Sequence, residues 1–285
     1  MTTLITADEL RHALAGDEPP VILDARYPGP AATGNGLPAF REGHIPGSAW
    51  IDVDTELAGP AVGPGGRHPL PEPSVFEAAL RRAGVGCDGL VVVLDADNSL
   101  AAGRLWWLLR DAGHDRVRVL DGGFAAWQRA GGATETGDPA PRPEGDFTAR
   151  PGQLPVADAE HLTALLDARS AGSALERPAL WDVRAPERFR GETEPIDPVA
   201  GHIPGARNLP AAALQHPDGT FLPADELRGL LEGVRPGDVV YCGSGITAAQ
   251  ALVAMAHAGT DAGVRLYPGS WSDWISTGDR PIERG

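Results

Sequence analysis

Asp238-Val239-Val240-Tyr241-Cys242-Gly243-Ser244-Gly245-Ile246-Thr247-Ala248-Ala249-Gln250 is the stretch whose reading decides the fold. Asp238 to Tyr241 is a short apolar run after a Pro236-Gly237 turn, the pattern of a buried strand. From Ala248 onward the residues are strong helix formers. Between strand and helix lies a tight turn, Cys242 to Thr247, that holds one of only two cysteines in the chain. A loop feeding a helix N-terminus presents backbone N–H groups and the positive end of the helix dipole. A thiol at its centre is favoured as its anion. Gly243 and Gly245 let the backbone curl close around a large sulfur atom. Cys242 is therefore read as a nucleophile held as thiolate, and not as the inert buried thiol that an isolated cysteine more often is.

Working outward, the chain of 285 residues is long enough for two ordinary domains. A net charge of -15 argues against nucleic acid or an anionic membrane surface as partner. It also means that an anionic substrate must be drawn by a local cationic patch. No stretch reaches the ~18 consecutive apolar residues of a membrane span. The first ten residues lack the pattern of a signal peptide. With two cysteines there is no disulfide framework, so a cytoplasmic location is expected.

The two halves carry one pattern. Val21 to Arg26 is a strand ending in Asp24-Ala25-Arg26, and Ala179 to Arg184 is a strand ending in Asp182-Val183-Arg184. Gly43-His44-Ile45-Pro46-Gly47 returns as Gly201-His202-Ile203-Pro204-Gly205 at the same spacing. Asp121 to Trp127 returns as Pro268 to Trp274. Helices are expected at Ser74 to Ala83, at Ala101 to Ala112 with Trp106 and Trp107 in its core face, and from Pro223 to Leu231. Thr6 and Glu9 form a capping signature ahead of the first helix. Strand–helix alternation repeated in this way gives an α/β fold of two copies, each a mainly parallel sheet flanked by helices. The expected boundaries are 1–132 and 157–285, with a Pro-, Gly- and acid-rich linker over 133–156. Cys242 aligns with Asp95 or Ala96, depending on one gap, so the first copy lacks the thiol and is read as an inactive scaffold. Cys87 sits in a turn and is read as structural.

The chain resembles the tandem-domain rhodanese family, the thiosulfate and 3-mercaptopyruvate sulfurtransferases. The resemblance is carried by Asp24-Ala25-Arg26, both Gly-His-Ile-Pro-Gly segments, Leu120 to Gly123, Arg188-Phe189-Arg190-Gly191, Cys242 to Thr247 and Gly269-Ser270-Trp271. It implies two rhodanese domains, the second catalytic, and a persulfide on Cys242 with no metal or organic cofactor. Gly243, Ser244, Gly245, Ile246 and Thr247 would line the loop that holds the donor. The loop is neutral, unlike the Cys-Arg-Lys-Gly-Val-Thr type that takes thiosulfate, and is similar to the mercaptopyruvate type. That type implies a proton relay of Ser244 with His68 and Asp54. His68 on its own would read as a solvated turn histidine. Arg188 is the implied ligand of the 2-oxo acid carboxylate. The family's second arginine, after Pro-Glu-Pro, is replaced here by Ile196, and Arg190 or Arg67 is left to substitute. The implied acceptor is a thiol such as thioredoxin, or cyanide, and a monomer is expected.

His44 and His202 are read as fixing turns, Asp182 and Arg184 as a pair at a strand end, and Trp271 as packing with a possible place in the pocket wall. The competing readings are a thiosulfate enzyme using the same Cys242, a Cys-based phosphatase and a non-enzymatic binding module. Ala248 and Ala249 stand where a phosphatase loop would continue to its arginine. A binding module would be expected to lose the thiol, as the first half has.

Overall fold

The computed structural model describes residues 2–29, 34–61, 65–170 and 178–285. They fall into two compact units. One comprises Met1–Gly59, Pro71–Gln153 and Gln215–Phe221; the other comprises Pro60–Leu70, Leu154–Leu214 and Leu222–Gly285. Each unit thus takes a short segment from the opposite half of the chain.

The first unit runs β1 (Leu4–Ile5), α1 (Ala7–Leu14), β2 (Val21–Asp24), α2 (Leu37–Glu42), β3 (Ala49–Trp50), α3 (Pro73–Arg82), β4 (Val91–Leu94), α4 (Leu100–Asp111), β5 (Val117–Leu120) and α5 (Gly123–Arg129). Among the described residues its strands form one parallel sheet in the order β1-β5-β4-β2-β3. Every residue of β4 is buried, as a strand covered on both faces must be. The capping box forms: the Thr6 hydroxyl accepts the Glu9 N–H, and the Glu9 carboxylate accepts the Thr6 N–H at 2.8 Å. One face of the sheet packs Ile5, Ile22, Val92 and Leu120 against Leu10, Phe124 and Trp127. Trp106 and Trp107 are buried in α4.

The second unit runs α6 (Ala159–Ser170), β6 (Leu180–Asp182), α7 (Pro186–Phe189), β7 (Arg207–Asn208), α8 (Ala224–Leu230), β8 (Val239–Tyr241), α9 (Ile246–Ala258), β9 (Arg265–Leu266) and α10 (Ser270–Trp274). Its parallel sheet has the order β7-β6-β8-β9, the same sequence of neighbours as β3-β2-β4-β5. The counterpart of β1 is reduced to a parallel bridge from Val156 to Leu266. Leu180, Val239, Tyr241, Tyr267, Trp271 and Trp274 form the core on one face.

The segment that precedes this unit is fastened along the first one. Gly145, Phe147 and Arg150 donate their N–H groups to the carbonyls of Arg81, Val85 and Ala112. The two Gly-His-Ile-Pro-Gly turns use one device. His44 stacks on Phe40 at 4.0 Å and bonds to its carbonyl, with Nε2 3.0 Å from Glu135. His202 stacks on Phe189 at 3.8 Å and bonds to its carbonyl, with Nε2 3.7 Å from Glu283. Among the described residues no helix is long and apolar enough to cross a membrane.

Candidate active site

Strand β8 ends at Tyr241 and α9 begins at Ile246, so Cys242 to Gly245 is the whole connection. The helix starts two residues earlier than its composition suggests because Gly245 takes the left-handed conformation, φ 84°. A side chain there would meet the Pro268 carbonyl oxygen at 2.3 Å from its β-carbon, which leaves glycine. That turn aims the Gly245 N–H at Cys242 Sγ, 3.1 Å away. The sulfur is buried, 2% exposed, yet it faces a helix N-terminus and not the apolar interior. Ser270 completes its surroundings. Its hydroxyl oxygen accepts the Cys242 N–H at 3.0 Å and lies 3.9 Å from Sγ. Ser270 also has φ 54°, one of two non-glycine residues with positive φ among the described residues. Backbone held in this region by a residue with a β-carbon costs of order 1–3 kcal/mol and gathers at functional sites.

The first unit shows what this loop does when the thiol is missing. The Asp95 carbonyl accepts the Phe124 N–H at 2.9 Å, as the Cys242 carbonyl accepts that of Trp271 at 3.0 Å. The structure therefore pairs Asp95, and not Ala96, with Cys242. The Asp95 carboxylate accepts the N–H groups of Ser99, Ala101 and Ala102 at 2.9–3.2 Å. The same cradle is filled there by a carboxylate of the chain itself. Burial pushes Asp95 up to about 6, and those three N–H bonds oppose the shift only in part.

Around Cys242 the second unit brings together a serine–histidine pair and two arginines held by carboxylates. Ser244 Oγ and His68 Nδ1 share a hydrogen bond of 2.8 Å, both groups buried. His68 reaches the loop because Pro60–Leu70 belongs to this unit. Gly65 N–H donates to Asp273 Oδ1 at 2.9 Å and Arg67 N–H to Ser272 Oγ at 3.1 Å, which pins the segment to α10. Arg188 pairs with Glu194 at 2.7 Å and with Asp197 at 3.3 Å. Arg67 pairs with the other oxygen of Asp197. A β-carbon placed on Gly243 would lie 3.0 Å from Arg67 Nη2 and 3.5 Å from Arg188 Nη2.

Of the residues singled out in the sequence, Cys242, Gly243, Ser244, Gly245, Ile246, His68 and Arg188 are brought together in the second unit. Thr247 is half-buried at the second position of α9. Asp54 belongs to the first unit, where it is exposed and its N–H donates to Asp52 Oδ1 at 2.9 Å. Partial desolvation of its carboxyl, and then the neighbouring Asp52 charge, raise its pKa. Arg190 pairs with Glu192 on the surface. Trp271 is fully buried, with its indole N–H on the Val199 carbonyl and the Arg184 guanidinium 4.9 Å from its ring. It is core, as Phe124 is beneath Arg26 at 4.4 Å. Asp182 and Arg184 pair at 2.6 Å. Cys87 is exposed in its turn. Sequence reasoning missed Ser270 and Asp197. For Ser270 a signal was present: the first copy has Gly123 at the equivalent position, with φ 58°.

Comparison with known proteins places this geometry in a family. The rhodanese-like domain model matches residues 6–130 and again 159–277. A Pseudomonas aeruginosa protein provisionally named 3-mercaptopyruvate sulfurtransferase is 43% identical, over 99% of this chain and 98% of that one. A Mycobacterium tuberculosis protein with the provisional name thiosulfate sulfurtransferase SseB is 42% identical, over 99% and 97%. The crystal structure of SseA from Escherichia coli superimposes with a TM-score of 0.79 at 34% identity, covering 95% of this chain and 100% of that one. The chain belongs to the rhodanese family, with two rhodanese-like domains, and is a sulfurtransferase.

Proposed function

We propose that the second unit moves sulfur from 3-mercaptopyruvate to a thiol or cyanide through a persulfide on Cys242, and that the first unit is an inactive copy. The observation that supports this most is the Gly245 N–H on Cys242 Sγ at the N-terminus of α9. Donors aimed at that sulfur stabilise a thiolate and then the anion of Cys–S–S⁻.

The Cys242 thiolate attacks the donor sulfur. The carbon–sulfur bond breaks, and its electron pair leaves on carbon as the enolate of pyruvate. The proton that quenches the enolate comes through Ser244 and His68, whose 2.8 Å bond suits a shuttle. The resemblance assigns Asp54 a supporting part, and that assignment rests on the resemblance. In the second step an acceptor thiolate, thioredoxin being the candidate, or cyanide attacks the outer sulfur and Cys242 leaves as thiolate. No redox partner enters either step. Two free cysteines suit a reducing compartment, and we infer a cytoplasmic monomer.

A second reading, thiosulfate as donor, is favoured by the two guanidiniums beside Gly243 and by the name of the mycobacterial relative. Against it, Asp197 and Glu194 already balance those charges, which suits a monoanion better than a dianion. The test is kcat/KM for both donors with one acceptor, on wild type and Ser244→Ala. A preference for 3-mercaptopyruvate is expected, and the variant should lose roughly 10²–10⁴-fold in turnover with that donor and much less with thiosulfate. Equal losses would remove the relay.

A further inference from the structure

We propose that Arg67, from the Pro60–Leu70 segment, is the second carboxylate-binding cation of this site and stands in for the arginine that Ile196 displaces. This rests on the mercaptopyruvate reading above. The segment after Glu194-Pro195 folds back onto Glu194: the N–H groups of Ile196 and Asp197 both donate to Glu194 Oε1 at 3.1 Å. Ile196 itself is exposed, so no cation is offered from that position. The cation arrives from elsewhere. Asp197, buried, takes Arg67 on one oxygen and Arg188 on the other, and so holds the two forks side by side.

Both forks converge on Gly243. From the position of a β-carbon on that glycine, Arg67 Nη2 is 3.0 Å away and the Arg188 amino groups are 3.5 and 3.8 Å away. A side chain at this place would crowd the Arg67 fork, so glycine is what lets both forks approach the residue adjoining the nucleophile. In 3-mercaptopyruvate, two carbons separate the sulfur from the carboxylate carbon. That span is comparable with the ~3.8 Å step between consecutive α-carbons. A donor with its sulfur at Cys242 therefore sets its carboxylate beside Gly243, where two planar forks meet two oxygens. In thiosulfate the anionic oxygens are only one bond removed from the sulfur-bearing atom, so they sit nearer the nucleophile than the carboxylate of 3-mercaptopyruvate does. Asp197 is a positioning residue: it aligns the forks and keeps them from carrying an excess charge that a dianion would exploit.

The experiment pairs Arg67→Ala and Arg67→Lys with two donors, 3-mercaptopyruvate and mercaptoacetone, which keeps the thiol and ketone but lacks the carboxylate. For Arg67→Ala the KM for 3-mercaptopyruvate is expected to rise roughly ten- to a hundredfold, the loss of one charge-assisted contact. Its kcat should change less, and its kcat/KM for mercaptoacetone should match wild type. Arg67→Lys keeps a charge to pair with Asp197 but not the fork, and should show a smaller rise confined to 3-mercaptopyruvate. If Arg67→Ala fails to fold, this variant carries the test alone. Equal losses with both donors would overturn the proposal and make Arg67 a fastener of its loop. Wild type that ignores 3-mercaptopyruvate would instead defeat the underlying donor assignment, a result visible before any variant is made.

Discussion

Cys242 and Asp95 occupy equivalent loop positions in two copies of one structure; the sulfur accepts the N–H of Gly245 at the cap of the following helix, and the carboxylate accepts those of Ser99, Ala101 and Ala102 at the start of its own. On the proposed reading, the same loop position carries a sulfur that reacts in one copy and a carboxylate that does not in the other. Asp95 carries a measurable signature. Its pKa in the folded chain is raised to about 6, above the ordinary carboxylate value, because burial disfavours the charge. A raised carboxyl binds its proton more tightly in the folded than in the unfolded state. Its contribution to stability is therefore present at low pH and is lost as pH rises through about 6. Wild type should lose stability relative to Asp95→Asn as pH rises from about 4 to about 6.5. Thermal unfolding of the two proteins across that range checks it, and a relative gain would contradict it. At this scale Cys242, Ser244 and Arg188 were legible, since loop chemistry and a family motif surround them. Arg67 was not. Nothing local distinguishes its guanidinium from a surface arginine, and only the contact with Asp197, made across the length of the chain, gives it a place.

The strand–loop–helix of β8 and α9 is the element on which the chemistry stands, and Gly245 decides its geometry. Its positive φ starts the helix early and aims its N–H at the sulfur. Gly245→Ala would add strain of order 1–3 kcal/mol, and its methyl would run into the Pro268 carbonyl. A lower denaturation midpoint and a sulfur-transfer rate reduced by at least tenfold are expected together. An unchanged rate in a destabilised protein would show that the N–H on Sγ is dispensable. The strand and the helix were readable from apolar runs and helix formers, whereas the helix start was misplaced by two residues. Composition alone does not report a left-handed glycine. Ser270 was hidden for the same reason: its role depends on backbone φ, and only the glycine at Gly123 in the first copy hinted at it.

For the whole molecule, repetition made the architecture legible: two parallel sheets share one order of strands, and both His-Pro turns are fixed alike. What repetition could not convey is that Pro60–Leu70 joins the second unit and Gln215–Phe221 the first. Gly- and Pro-rich loops have no hydrophobic period from which a partner can be read. That crossing supplies His68 and Arg67, so the second half of the chain does not by itself hold the complete site. The two free cysteines divide along the same line: Cys87 is exposed in the first unit, and Cys242 is buried in the second. Peptide mass spectrometry of the full chain after a single equivalent of 3-mercaptopyruvate is the most direct measurement. One added sulfur atom on Cys242, none on Cys87, one pyruvate released per chain and no reaction in Cys242→Ser are predicted. Sulfur found on Cys87, or pyruvate released by Cys242→Ser, would contradict the account.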